Sequence, residues 1–234
     1  MAEVEVLKQE AGIMACKYVK NGMKIGLGTG STVKYTIIEL GRMIAEENLQ
    51  IIGVPTSKAT KDLAESLNIP LLTLSEKIKL DLTIDGADEF DPNYNLIKGG
   101  GGALTREKIV ALASNALIVV ADDRKKVPVL GKFPLPVEVL ISTWEEVKEK
   151  ISQFCPGNVC LRLENEKPFL TDNGGYILDC HIGPTMTKPN IYEKKINSIE
   201  GVVEVGLFVG ICDAIIYSSS SGVHTLTNPD GRLS

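Results

Sequence analysis

The chain has few of the residues that most often hold metal ions. Its 234 residues include two histidines, His181 and His224, and five scattered cysteines that form no CxxC pair. This composition excludes a histidine-rich or thiolate-rich metal site, although carboxylates could still bind magnesium. The odd number of cysteines is typical of free thiols in a cytosolic protein. We therefore expect no bound metal and a cytoplasmic location.

Positive charge and long apolar runs are also scarce. The net charge is −5 and the isoelectric point is near 5.2, whereas nucleic-acid backbones select for clustered positive surface. No stretch reaches the roughly 18 uninterrupted apolar residues of a membrane helix, and the N-terminal MAEVEVLKQEAG is acidic where a signal peptide is basic. We expect no nucleic-acid partner, no membrane helix and no export signal.

Strands and helices alternate over the first half of the chain. Apolar spacing predicts helices over 7–19, 33–47, 56–67 and 104–114 and strands within 23–28, 50–54, 80–85 and 116–121. Strands that alternate with helices of about ten or more residues predict a parallel sheet. The fold class is therefore α/β, with a Rossmann-like parallel sheet and helices on both faces.

The pattern changes after about residue 121. KFPLPVEVL has two prolines separated by one residue, which is typical of a crossing between domains, here near Val127 to Pro136. A β-α-β-β-α-β order follows, including a hairpin in FLTDNGGYILD, and predicts a small α+β domain of the split βαβ, ferredoxin-like kind. Strands at 214–219 and 222–226 should return to the first domain. The expected domains are 1–129 with 206–234, and 130–205.

The stretch GLGTGST, residues 26–32, lies between a predicted strand and a predicted helix. It misses the GxGxxG dinucleotide pattern because Ser31 stands where the third glycine belongs, and it lacks the GK[ST] of a P-loop. Glycine amides, the hydroxyls of Ser31 and Thr32 and a helix N-terminus together suit a small phosphate. The alternative is that Ser31 or Thr32 simply caps the helix.

The stretch DLTIDGADEFD crowds four carboxylates at the end of a predicted strand. Ligands of open parallel sheets bind outside the carboxyl ends of the strands, where Asp85 lies. The alternative is a solvated acidic turn that Asp91-Pro92 initiates, and Glu89 and Asp91 fit that interpretation better than Asp85 does.

The stretch KGGGGALTREK sets four glycines directly before a predicted helix. The glycines, Gly99 to Gly102, supply unobstructed amides that can form an anion nest, and Lys98 adds a cation beside them. Glu107 follows in the first turns of the helix, where the macrodipole favours an ionised carboxylate that is suited to removing a proton. Its alternative role is to stabilise the helix terminus alone.

Five motifs stand in the order found in ribose-5-phosphate isomerase, type A, and the chain closely resembles that family. They are GLGTGST, DGADEFD, KGGGGALTREK, GKFPLPVEV and DNGGYILD, and the similarity extends from the first helix to TNPDG. The resemblance implies interconversion of D-ribose 5-phosphate and D-ribulose 5-phosphate through a cis-enediolate, in the non-oxidative branch of the pentose phosphate pathway. It implies no metal or organic cofactor and a homodimer or tetramer.

The resemblance also assigns the site residues. It implies that Glu107 is the catalytic base and that Asp85, Asp88 and Lys98 are catalytic. Lys125 is matched through the short basic run DRKK, so Arg124 or Lys126 could take its place. The implied contacts with phosphate and sugar are Thr29, Gly30, Ser31, Thr32, Gly99, Gly100, Gly101 and Lys125.

One departure and two alternatives accompany the resemblance. Some family members have alanine at the position of Gly102, a change that affects the stiffness of the loop more than its chemistry. A non-catalytic sugar-phosphate sensor would not need four catalytic side chains together, and no DNA-binding segment is attached. An acyl-CoA transferase or amino-sugar phosphate isomerase could share the architecture, but the nucleophilic glutamate motif of a transferase is not found.

Overall fold

The computed structural model of the chain describes residues 2–73 and 79–233. No helix in these two stretches combines the length and the apolar character needed to cross a membrane. The helices are α1 Ala2–Ala15, α2 Val33–Glu47, α3 Lys58–Ser66, α4 Leu104–Leu112, α5 Trp144–Ser152 and α6 Pro189–Asn197. The strands are β1 Lys24–Leu27, β2 Ile52–Pro55, β3 Leu82–Gly86, β4 Glu89–Phe90, β5 Leu96–Ile97, β6 Leu117–Asp122, β7 Leu135–Val139, β8 Val159–Leu161, β9 Leu163–Glu164, β10 Lys167–Pro168, β11 Tyr176–Cys180, β12 Val202–Val205, β13 Leu207–Phe208, β14 Ala214–Ser219 and β15 Gly222–Thr227.

The chain packs as two compact units. The first unit comprises Met1–Ala87, Arg106–Lys125 and Ile211–Ser234, and the second comprises Asp88–Thr105 and Lys126–Gly210. These packing units differ from the expected domains chiefly because residues 88–105 belong to the second unit. The expected domain limits, 1–129 with 206–234 and 130–205, stay a prediction.

A six-stranded sheet forms the centre of the first unit. Its strand order is β2-β1-β3-β6-β14-β15, and every pair is parallel except β14 with β15. The apolar runs of β1, β3, β6 and β14 are almost entirely buried, as expected of strands that are covered on both faces. The predicted α/β class is confirmed, and the last two strands return to this sheet as expected.

Helices cover both faces of this sheet. Ile25, Leu27 and Ile84 point to one face, where they pack in a core with residues of α1 and α2. Val54 and Leu80 instead pack against Val110 of α4. Burial of each such side chain contributes about 1.5–3 kcal/mol relative to exposure. The contact at Val110 thus holds α4 against this face of the sheet.

A buried carboxylate ties the C-terminal segment of the first unit to the sheet. Asp213 precedes β14, and its Oδ2 accepts a hydrogen bond from the Leu117 amide at 2.7 Å. The guanidinium of Arg232 donates to the same oxygen at 2.8 Å, and the Arg232 amide donates to Oδ1 at 2.5 Å. Asp213 thereby joins the starts of β6 and β14 to the chain end.

An antiparallel sheet of order β12-β7-β11-β8 forms the centre of the second unit. With α5 and α6 in their places along the chain, this order matches the predicted split βαβ arrangement. Val137, Val147 and Ile196 from β7, α5 and α6 are fully buried in one core. Trp144 at the start of α5 meets Tyr176 edge to face, with 6.5 Å between ring centroids.

Several small elements differ from expectation. The predicted hairpin in FLTDNGGYILD is reduced to a single bridge between Leu170 and Tyr176, because β11 pairs with β7 and β8 instead. Helix α1 begins at Ala2 rather than near Leu7, since Glu3 and Glu5 in its first turn suit a helix N-terminus. The strands of only two residues, β4, β5, β9, β10 and β13, were not predicted, because two residues show no period.

The tie at Asp213 predicts a measurable loss of stability. We expect Asp213→Ala to lower the free energy of unfolding by about 1.5–3 kcal/mol, because the buried Leu117 amide and the Arg232 guanidinium both lose a charged acceptor. Urea denaturation followed by circular dichroism measures this loss. Asp230→Ala, at an exposed position in the same segment, is the control. Equal stability of the two variants would contradict the prediction.

Candidate active site

The GLGTGST stretch forms the loop between β1 and α2 in the first unit. Ser31 is exposed and Thr32 is buried, and Gly30 has a φ of +131°. Thr32 occupies the N-cap position of α2, yet its side chain makes no capping hydrogen bond. The alternative role of Thr32 as a side-chain cap is therefore not the one it has here.

The carboxylate of Asp85 holds this loop from the end of β3. Its Oδ1 accepts hydrogen bonds from the Thr29 amide at 3.0 Å and from the Gly86 amide at 2.7 Å. Asp85 is completely buried, and a Cβ at Gly28 would lie 2.1 Å from its Oδ1. Only glycine at position 28 lets the carboxylate approach the loop so closely. The structure thus joins two regions that the sequence analysis singled out separately.

A cluster of hydroxyls beneath the loop was missed by the sequence analysis. The Thr29 hydroxyl lies 2.7 Å from that of Thr56 and 2.8 Å from that of Ser57. Thr60 donates from its Oγ1 to the Gly28 carbonyl at 2.8 Å, and Ser57 caps α3 by accepting from the Thr60 amide. The available signal was VPTSKAT, which follows β2, because β2 and β1 are neighbouring parallel strands.

Glu107 lies in the first turn of α4, as the sequence analysis expected. Glu107 is only 3% exposed, whereas carboxylates in the first turns of other helices, such as Glu3 and Glu146, are exposed. Glu107 is therefore a sheltered carboxylate.

The basic run DRKK directly follows β6. The guanidinium of Arg124 is committed to Asp122, with its Nε 2.6 Å from Oδ1 and its Nη2 3.0 Å from Oδ2. Burial opposes ionisation of Asp122, but the contacts with Arg124 outweigh it and lower the pKa of this carboxyl. Lys125 is half-buried at the end of a short 3-10 turn, and Lys126 is exposed.

The glycine run belongs to the second unit, together with Asp88. The Gly100 amide donates to Asp88 Oδ2 at 2.7 Å, and the Gly102 amide donates to the Gly99 carbonyl at 2.9 Å. Gly100 and Gly101 are exposed, while Gly99 is buried. The four glycines therefore form a turn that Asp88 holds from one side.

Lys98 directly precedes this turn and is 1% exposed. Its ammonium group lies 5.4 Å from the centre of the Phe208 ring, within the range of a cation–π interaction. Its backbone amide donates to the Gly206 carbonyl at 2.9 Å, which fixes the residue at the start of the run. A buried lysine thus directly precedes the exposed glycines, and the anion nest expected from the sequence stays a prediction.

Arg162 also contacts this turn and is held by Asp179, and the sequence analysis singled out neither residue. Arg162 Nη1 donates to the carbonyls of Gly99 and Gly100 at 2.8 and 3.1 Å, and the guanidinium is paired with Asp179. The two residues are 17 positions apart. Arg162 belongs to no motif, and the spacing of the two residues follows no helical or strand period, so the sequence alone does not pair them.

Glu89 and Asp91 have structural roles, but both are buried, unlike the solvated acidic turn that the sequence analysis favoured for them. Glu89 is buried, and its two carboxylate oxygens accept from the amides of Gly131 and Phe133 at 2.8 and 2.6 Å. Asp91 Oδ1 accepts from the Asn93 and Asn95 amides, so it closes a tight turn. Burial raises the pKa of Glu89, and the two amides only partly offset that effect.

Within residues 2–73 and 79–233, no three histidine, cysteine, aspartate or glutamate side chains are grouped so that they could hold a metal ion. All five cysteines carry free thiols. Burial raises the pKa of the Cys16 thiol to about 12, so this thiol is not a ready ligand at neutral pH.

Carboxylates, hydroxyls and glycine-rich amides at the ends of parallel strands define the class of α/β enzymes that act on small anionic metabolites. The family model of ribose 5-phosphate isomerase A (phosphoriboisomerase A) matches residues 52–222. The chain is 48% identical to the ribose-5-phosphate isomerase A of Bacillus mycoides over 218 residues, 93% of this chain and 97% of that protein. The chain therefore belongs to the ribose 5-phosphate isomerase A family.

Solved structures agree with this assignment. Ribose 5-phosphate isomerase from Plasmodium falciparum is similar with a TM-score of 0.93 and 36% identity, over 96% of this chain and 99% of that one. A D-ribose-5-phosphate isomerase in complex with phospho-erythronic acid is similar with a TM-score of 0.91 and 41% identity, over 96% and 99% of the two chains. The protein is thus an aldose-ketose isomerase that interconverts ribose 5-phosphate and ribulose 5-phosphate in the pentose phosphate pathway.

The raised pKa of Glu89 predicts a pH dependence of stability. The pKa of Glu89 in the folded state lies above the unfolded value of 4.5. Between these two pKa values the folded state binds more protons than the unfolded state, so the free energy of unfolding falls as pH rises from 4.5 to the folded-state pKa. We expect Glu89→Gln to be less stable than the wild type at acid pH, with a difference that shrinks as pH rises past about 4.5. Urea titrations from acid to neutral pH measure this, with the exposed Glu200→Gln as control. A difference that grows with pH would reverse the assigned sign.

Proposed function

We propose that the isomerisation proceeds through a cis-enediolate, with Glu107 as the base. In this scheme Glu107 removes the proton from C2, and the C–H electron pair forms the C1–C2 double bond while the aldehyde oxygen gains negative charge. The same carboxyl then returns a proton to C1, and a hydroxyl proton moves from O2 to O1. The burial of Glu107 in the first turn of α4 is the observation that carries this proposal, because it places a carboxylate at a helix N-terminus and shelters it from bulk water.

The negative oxygen of the enediolate needs donors that are already in place. We assign this role to Lys98 and to the amides of the glycine run, since Lys98 is buried beside exposed glycine amides. Asp88 orients this group through its hydrogen bond from Gly100. A solved relative holds phospho-erythronic acid, whose planar carboxylate resembles an enediolate, and this supports an equivalent anion in the present chain.

The loop between β1 and α2 is our candidate for the phosphate. Thr29, Gly30, Ser31 and Thr32 offer amides and hydroxyls at the N-terminus of the fifteen-residue α2, and Lys125 adds a cation. Asp85, held by the Thr29 and Gly86 amides, assists proton transfer at the ring oxygen or the adjacent hydroxyls when the sugar ring opens. Charge-assisted hydrogen bonds contribute about 1.5–3 kcal/mol each, so a held phosphate can align the reacting carbons.

We also propose that the protein is cytoplasmic and assembles as a homodimer or tetramer. The family resemblance supports both points, and the place of the reaction in the pentose phosphate pathway supports the cytoplasmic location. We expect no metal or organic cofactor, so activity should survive excess EDTA. Light scattering of the purified protein measures the assembly, and a monomer that is fully active would overturn that part of the proposal.

Loss of the base predicts a large change in rate. We expect Glu107→Gln to lower kcat by at least about 10²-fold at nearly unchanged stability, because removal of a general base typically costs that much. Conversion of ribose 5-phosphate in excess EDTA measures it. Glu146→Gln, which removes an exposed carboxylate from the first turn of α5, is the matched control. A loss below about tenfold would reject Glu107 as the base.

Isotope transfer tests the enediolate separately. Proton transfer through a carboxyl group exchanges with solvent, so reaction in D₂O should place some deuterium at C1 of ribulose 5-phosphate. Direct hydride transfer from C2 to C1 would retain the original hydrogen completely. Deuterium at C1 would therefore exclude direct hydride transfer, whereas complete retention would mean either hydride transfer or return of the same proton by the sheltered Glu107.

Close approach at the glycine run predicts a second loss of activity. A Cβ at Gly100 would lie 2.5 Å from Asp88 Oδ1, so Gly100→Ala should displace the carboxylate and turn the amide away. We expect a fall in kcat of about 10²-fold in a folded protein, since a misplacement of about 1 Å can have that effect. Steady-state kinetics with melting curves measure both. Wild-type turnover in a folded Gly100→Ala variant would contradict the proposed role of the glycine amides.

A further inference from the structure

Arg162 is a nearly buried arginine with no role in the reaction scheme given above. It directly follows β8, and its side chain is 14% exposed. Its guanidinium forms a two-pronged pair with Asp179 of β11, with Nε 2.9 Å from Oδ2 and Nη2 2.5 Å from Oδ1. Such forked pairs hold a guanidinium in one orientation, unlike the point contact of a lysine.

The remaining face of this guanidinium is turned to the glycine run. Nη1 donates to the Gly99 carbonyl at 2.8 Å and to the Gly100 carbonyl at 3.1 Å. The guanidinium also lies 5.8 Å from the centre of the Phe169 ring, which limits its movement on another side. The guanidinium of Arg162 therefore holds two successive carbonyls of the glycine run in place.

Peptide planarity converts these two contacts into a statement about amides. In a trans peptide the carbonyl of one residue and the amide of the next point in opposite directions. When Gly99 and Gly100 turn their carbonyls to Arg162, the amides of Gly100 and Gly101 must point away from it. The Gly100 amide meets Asp88 at 2.7 Å, as this geometry requires.

Glycine makes such an external hold necessary. A glycine residue populates many backbone conformations, so four in succession do not keep their peptide planes oriented without outside contacts. Asp88 fixes one amide of the run, but an acceptor for the Gly100 amide does not set the following peptide. The contact between Arg162 and the Gly100 carbonyl does set it.

We propose that Arg162 is a positioning residue for the isomerisation, which aims the amide of Gly101 at the developing oxyanion through its contact with the Gly100 carbonyl and is itself aligned by Asp179. The proposal rests on the proposed role of the glycine amides in binding the enediolate. Arg162 acts through the loop and does not touch the reacting atoms. It stabilises the transition state by fixing the direction of donors before the charge forms.

The first test separates positioning from a general structural role. We expect Arg162→Ala to lower kcat by about 10²-fold with KM changed by less than about threefold, because the affected donors act mainly in the transition state. Arg162→Lys should recover only part of this loss, since an ammonium group cannot keep the forked pair and both carbonyl contacts. Guanidinium ion at low, non-denaturing concentration should raise the turnover of Arg162→Ala and leave Arg162→Lys unaffected.

The second test uses a double-mutant cycle with Asp179. If Asp179 acts only by aligning Arg162, Asp179→Asn should lower kcat less than Arg162→Ala does. The double variant should then be no slower than Arg162→Ala alone. Arg42→Ala is the matched control, because Arg42 is paired with Glu39, Glu46 and Glu47 on α2 and has no assigned part in the reaction. The control should keep wild-type kcat.

The outcomes distinguish this inference from the proposed function. If Glu107→Gln is inactive while Arg162→Ala keeps kcat within about threefold of the wild type, the positioning role is wrong and the proposed base stands. If Arg162→Ala raises KM at unchanged kcat, or fully additive losses appear in the cycle, the role is also wrong. If Arg162→Ala fails to fold, Arg162→Lys and Asp179→Asn decide by the same kinetic criteria. Full activity of Glu107→Gln would overturn the proposed function instead.

Discussion

Parallel pairing is the constraint on which the first unit depends. Neighbouring parallel strands in register end at the same edge of the sheet, whatever the distance between them along the chain. The interiors of the central strands are largely apolar and buried on both faces, with Thr83 of β3, which bonds to Ser114, as an exception, so polar side chains gather where strands end. The groups that reach this edge, each at or just after the end of a different strand, are Thr29 after β1, Thr56 after β2, Asp85 in β3, Asp122 in β6 and Ser218 in β14.

The long elements could be predicted because their patterns repeat. The apolar period of α2 and the apolar runs of β3 and β6 each span enough residues to be recognised, and the structure has these elements where they were expected. The two-residue strands could not be predicted, since they exist only where another strand lies beside them. The NGG hairpin was overestimated for a related reason: β11 gains more hydrogen bonds by pairing with β7 and β8 than it could with the short stretch at Leu170.

The candidate site was predictable where chemistry and spacing coincide within one motif. Asp85, Lys98 and Glu107 stand in stretches whose composition is unusual for a strand end or a helix start. Residues that act through a partner far along the chain lie in stretches of ordinary composition, so the sequence does not single them out. Arg162 lies 62 positions from Gly100, and Ser57 reads first as a helix cap. Only the folded arrangement shows that each of them contacts a loop that the sequence had already singled out.

Trp144, which packs against Tyr176, has an experimental consequence. It is the single tryptophan of the chain, and it lies in the second unit. Its fluorescence therefore reports on the unfolding of the second unit, whereas far-ultraviolet circular dichroism is dominated by the helices and strands of both units. Coincident denaturation curves from the two signals would mean that the units unfold as one cooperative block, and separated curves would mean that each has its own stability. The chain thus carries a built-in optical probe of cooperativity between its units.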